Sequence, residues 1–125
     1  MSEQLSVEPV DSDTVDVQQE LREIGDVPAV ELINTVAVHL MSAAAVKLGL
    51  ADDPDAAGQI DLDEARKLID ALAGLVTGAV VNIGDHHARP LRDGLRTLQL
   101  AFREASAIPD PIGKGPGEKW TGPVS

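Results

Sequence analysis

An all-α fold, a small three-helix domain completed by dimerisation, is what this sequence predicts, and three observations predict it. Apolar residues make up 43% of the chain and are nearly all aliphatic, with one Phe, one Trp and no Tyr. Alanine and leucine lose little side-chain entropy in a helix, so a core built from them favours helices. Apolar positions recur at alternating spacings of four and three, the repeat of one helix face. Finally, Pro28, Gly49, Gly84 and Pro90 fall where helices would start or stop.

With 125 residues there is room for one domain. Residues 1–25 are polar and acidic, with too little apolar surface to offset the entropy of ordering. They are expected to form a disordered acidic tail, with a transient helix over TVDVQQELREI. The helical domain is expected over residues 26–108. Its first helix, PAVELINTVAVHLMSAAAVKL, spans 28–48, entered through Asp26 and Pro28 and closed by Gly49. On this helix Glu31, Asn34, Thr35, His39 and Ser42 share an arc of roughly 140°, leaving roughly 220° apolar. That is wider than the stripe a surface helix needs.

The second helix is expected over about 62–83, with Asp61 and Glu64 spaced as a capping box and Gly84 as its stop. Ala65, Ile69, Leu72, Val76, Ala79 and Ile83 form its seam. Beside the seam Ala71, Gly74 and Gly78 make a strip of small residues. A glycine inside a helix costs about 1 kcal/mol relative to alanine, so two of them four apart suggest close approach by another helix. The third helix begins between Asp85 and Arg89, has Pro90 near its first turn and ends near Ser106, with Leu91, Leu95, Leu98 and Phe102 on its buried face. Residues 109–125 have Gly or Pro at eight of seventeen positions. Such a stretch is expected to hold neither a helix nor a central strand and to form a second flexible tail.

Two helices thus offer more packing surface than a three-helix monomer uses. A two-fold homodimer is expected, burying the excess face of the first helix and the Ala71, Gly74 and Gly78 strip. A membrane span is the competing explanation, since residues 32–46 carry no charge. Asn34, His39 and Lys47 interrupt the first helix, however, and Asp70 leaves only fourteen uncharged residues before Asp85 at the end of the second. A span needs about 20 predominantly apolar residues, so none is expected.

VELINTVAVHLMSAAAVKLGL, a short acidic loop, DLDEARKLIDALAGLV and PLRDGLRTLQLAFREA together resemble the bacterial family called domain of unknown function 1844. The resemblance covers about residues 28–106. VTGAVVNIGDHH is more apolar than the family pattern, in which lysines and an asparagine precede the last helix. Membership implies a small helical bacterial protein and carries no established activity. It also implies that the acidic loop is a turn, because a Pro and a Gly recur there while the acids vary.

Charge and motifs narrow the functional classes. Net charge is −11, with residues 1–26 at −7 and residues 51–64 at −6. Average acidity argues against non-specific nucleic-acid binding. Cysteine is absent, which removes disulfides and thiolate chemistry. MSEQLSVEPVDSDTVD lacks the basic and apolar parts of a secretory signal, so the expected location is the cytoplasm.

The loop DPDAAGQIDLDE, 53–64, nearly matches a calcium loop, with acids at its first, third, ninth and twelfth positions and glycine at its sixth. Ala57 offers no oxygen at the fifth, Pro54 constrains the start, and Asp61 and Glu64 have a capping role. An acidic turn is therefore expected, with a calcium-responsive protein as the alternative. Arg89, Arg92, Arg96 and Arg103 share an arc of roughly 80° on the third helix. Either their stems flank the leucine seam and their heads meet solvent or acids such as Asp70, or they dock a phosphate or an acidic partner. An RNA- or ribosome-associated factor is the second alternative, possible on this stripe but not favoured. Asp85, His86 and His87 open a helix, where the positive dipole end disfavours a cation, so no metal site is expected there. Ser42 and Ser106 have no adjacent base, and no catalytic residue or cofactor is expected. Lys119 and Trp120 lie in GEKWTGP, where an aromatic anchor suits a short recognition motif, unless the tail folds back over an exposed groove. The expectation as a whole is a non-enzymatic, cytosolic helical adaptor that binds itself and, through its tails, a protein partner.

Overall fold

The computed structural model describes residues 12–51 and 56–125. Two units divide the chain, 1–32 and 33–125. The order of elements is α1 (Ser12–Gly25), α2 (Ala29–Lys47), a short 3-10 turn (Ala56–Gln59), α3 (Leu62–Ile83), α4 (Asp85–Ala105) and a one-turn helix α5 (Glu118–Thr121). No strand occurs among the described residues, so the all-α reading holds.

α1 covers most of the segment expected to be a tail; residues 1–11 lie outside the described residues. Its helix suits its charges. Arg22 sits in the last turn, at the negative end of the helix dipole. Before it QQEL supplies strong helix formers. Val17 and Leu21 are exposed on it.

α2 stops in a hydrogen-bonded cap that the sequence marks with Gly49. The Gly49 N–H donates to Val46 at 3.0 Å and the Leu50 N–H to Ala45 at 2.9 Å, the pair of bonds of a Schellman motif. Gly49 adopts φ +80°, and a Cβ there would lie 2.8 Å from Ile60 Cδ1. The positive φ therefore selects glycine, while a Cβ would also push aside the exposed Ile60 side chain.

α3 has the bounds expected of it. Asp61 caps it through a bond from the Glu64 N–H to Asp61 Oδ1 at 3.2 Å. The reciprocal half of the capping box is not made. The Asp61 N–H instead reaches the Lys47 carbonyl at 2.9 Å, and the Glu64 carboxylate takes Lys67 Nζ at 2.6 Å. That hydrogen bond, reinforced by the Glu64 charge, raises the Lys67 pKa above its ordinary value. Gly84, at φ +82°, ends α3 and begins α4 in one residue.

The core of the second unit is aliphatic, as the composition requires. Ala65, Ile69, Leu72, Val76 and Ala79 of α3 are buried, with Ile83 half-buried, and Leu91, Leu95, Leu98 and Phe102 of α4 are buried opposite them. α2 adds Ala37 and Ala44, with Leu48 just beyond its end. Met41 crosses α4 at Gly94, where a Cβ would meet the thioether at 2.9 Å.

Residues 109–125 differ from the expectation. They do contain a helix, α5, and Pro116, Gly117 and Glu118 are buried. Glycines are what make this packing feasible: Gly113, Gly117 and Gly122 all adopt positive φ, so the chain turns tightly enough to lie on α3 and α4.

Candidate functional site

Polar side chains projecting from α3 and α4 fix the C-terminal segment. The Gly117 N–H donates to Asp70 Oδ1 at 2.6 Å. Gln99 Nε2 donates to the Pro116 carbonyl and to Thr121 Oγ1, both at 3.1 Å. Glu118 folds over its own turn and accepts from the N–H groups of Gly115 at 2.8 Å and Val124 at 2.9 Å. Arg66 Nη2 reaches both carboxylate oxygens of Asp110 at 3.0 Å and lies 4.9 Å above the Phe102 ring. A segment poor in apolar residues is thus held by satisfying its backbone rather than by filling a core.

Trp120 lies against the strip of small residues on α3. A Cβ on Gly74 would sit 3.4 Å from the indole, whereas nothing lies within 4 Å of a Cβ on Gly78. Ala71 is exposed. The close approach that Gly74 permits is therefore made by the side chain of this chain's own Trp120, on α5. Lys119 Nζ stands 5.1 Å over the same ring, and Trp120 remains 46% exposed. The expected recognition pair is thus half used within the fold.

The arginine stripe is real and its members divide. All four are exposed. Arg96 donates to the Ser125 backbone oxygen and Arg103 to that of Val124. Arg89 and Arg92 form no ion pair among the described residues. Asp70, expected as a partner for the stripe, is on Gly117 instead. Between α3, α4 and the C-terminal segment runs a groove of about 360 Å³, lined by Val76, Val80, Leu95, Trp120, Arg92 and Arg96 among others. A second cavity, of about 500 Å³, separates α4 from the segment near Phe102, Arg103 and Pro111.

α2 presents the other notable surface. It is long and apolar enough to cross a membrane by length and composition, with mean hydropathy 1.6, yet only 11% of that window is buried. Val36 and Val38 are 43% and 44% exposed. Val36, His39, Ala43 and Val46 follow one another at spacings of three, four and three, and so form a second seam on the side away from Ala37 and Ala44.

The calcium reading falls partly outside the described residues, which omit Asp53 and Asp55. Of its other acids, Asp61 caps α3 and Glu64 binds Lys67. His86 and His87 meet edge to face, with centroids 5.3 Å apart. No group of metal-ligating side chains occurs among the described residues.

Sequence reasoning missed Gln99, Glu118 and the role of Asp70. A usable signal did exist, in the pairing of a helical glycine with a lone tryptophan in a turn-rich segment.

A small all-α protein, with one aliphatic core and a strapped pair of helices, is the class that these features define. A family model, Domain of unknown function (DUF1844), matches residues 29–104, and the chain belongs to that family. The match spans α2 to α4 and ends before the C-terminal segment. No curated protein and no solved structure matches the chain.

Proposed function

We infer that the protein is a non-enzymatic helical interaction module, an adaptor whose first association is with a second copy of itself through the outward seam of α2. The observation that carries this is the contrast within α2 between its hydropathy and its 11% burial. Exposed aliphatic surface of this kind, uncharged from residue 32 to 46, is characteristic of association sites. A seam with a repeat of three and four fits another helix, and a two-fold pair of α2 helices covers both copies at once. A membrane span is the competing use of the same helix. What favours association is that Ala37, Ala44 and Leu48 are committed to the core with α3 and α4, so one face of α2 is already occupied.

The absence of native cysteine gives a direct test. Val36→Cys and Ala43→Cys should be joined into dimers by a short bifunctional maleimide, whereas Lys67→Cys, exposed on α3, should not. Equal cross-linking at all three positions, or none at Val36 and Ala43, would remove the reading. Sedimentation of the native protein with lipid vesicles would replace it with a membrane role.

A further inference from the structure

We propose that the groove between α3, α4 and the C-terminal segment is a docking site for an acidic, aliphatic peptide segment of a partner protein. It is separate from the α2 seam and does not rest on it.

The groove has the two components that such a ligand needs. Val76, Val80 and Leu95 line it, with Trp120 and Val124 of the C-terminal segment. These aliphatic and aromatic surfaces suit side chains such as leucine or valine, with Trp120 as an anchor that is already half buried. Arg92 and Arg96 of α4 also line it, and no Asp or Glu side chain does. Arg92 makes no hydrogen bond or ion pair among the described residues. Arg96 uses one bond on Ser125, while a guanidinium carries five donors, so it retains capacity for a ligand.

Charge complementarity selects the occupant. The two arginines are four residues apart on α4, about 6 Å along the axis. That spacing matches carboxylates four apart on a helix or two apart on a strand. The protein as a whole carries −11, so a basic rim on it is local and discriminates by position instead of by bulk attraction. Nucleic acid is the other polyanion to consider. The aliphatic floor offers no series of aromatic rings for stacking bases, and the surrounding negative field opposes a long phosphate chain. A short acidic peptide has neither problem.

The test is a selection of random displayed peptides on the full chain, followed by titration of a fluorescein-labelled winner. Selected peptides should carry paired Asp or Glu beside Leu, Val or Ile. Binding should fall at least about tenfold with Arg92→Glu, Arg96→Glu, and comparably when the peptide's acids become amides. Arg92→Gln, a mild surface change, should weaken it while the helical circular dichroism is unchanged, and the Trp120 emission should shift on binding. The proposal is overturned if no peptide is selected, if the winners lack acids, or if Arg92→Glu, Arg96→Glu leaves affinity unchanged. Arginine-dependent binding of a single-stranded RNA oligomer in preference to the peptide at the same salt would overturn it in favour of nucleic acid.

Discussion

α2 and the C-terminal segment are opposites in composition, and each behaves contrary to what composition alone suggests. α2 is the most apolar helix of the chain and is mostly exposed. Residues 109–125, dominated by glycine, proline and polar side chains, include buried Pro116, Gly117 and Glu118. Hydrophobicity and burial within one chain are thus separate quantities. Apolar surface is buried where a partner element exists, and α3 and α4 pack chiefly on each other. A polar segment can still be fixed if its N–H and carbonyl groups are answered one by one. α2 therefore leaves most of its apolar surface outward, and the C-terminal segment turns its polar groups inward.

Breaking the inward half should give the largest effects on stability. Gly117→Ala forces a side chain into left-handed backbone at φ +76° and places its Cβ 2.9 Å from both Ala73 Cβ and Gln99 Nε2. Strain of about 1–2 kcal/mol and overpacking of about 1–3 kcal/mol act together. The urea midpoint should fall sharply, and the tryptophan emission should move toward that of free indole. Asp70→Ala leaves the buried Gly117 N–H without its acceptor and should cost about 1–3 kcal/mol by the same assay. In both variants self-association should persist, because α2 is untouched.

Trp120→Ala removes half of an indole from Gly74 and one wall of the groove. It should cost roughly 1–2 kcal/mol by area and abolish groove binding without altering the chain's mass in solution. Gly78→Ala carries the smallest effect and the opposite sign. With nothing within 4 Å of the new Cβ, it should stabilise the protein by about 1 kcal/mol in thermal unfolding. Loss of association in that variant would instead return Gly78 to a dimer contact.

Much of this was legible in the sequence, because the signals were local. Gly49 and Gly84 mark helix ends through their own backbone conformation, Asp61 caps α3 through an N–H three residues away, and the leucines of α4 state their face by spacing. The C-terminal segment was not legible, because its determinants are far apart in sequence. Asp70 and Gly117 are 47 residues apart, and nothing near either one announces the other. Gln99 looks like an ordinary polar residue on α4 until Pro116 and Thr121 meet it. Gly74 correctly signalled a close approach, and the approaching group was an indole from the segment with the least periodicity. The arginine stripe was readable as a stripe, but its division between Arg92 on the groove and Arg103 on the segment required the fold.

Sedimentation equilibrium of the native chain beside Val36→Glu tests the outward role of α2 most directly. A charge at Val36, the exposed first residue of the seam, lies away from Ala37 and Ala44, so the fold should lose no more than about 0.5 kcal/mol. Twice the chain mass is expected for the native protein and a single chain mass for Val36→Glu, with equal helix content. A native protein that sediments as one chain at every concentration, or a Val36→Glu variant that remains a dimer, would contradict that role.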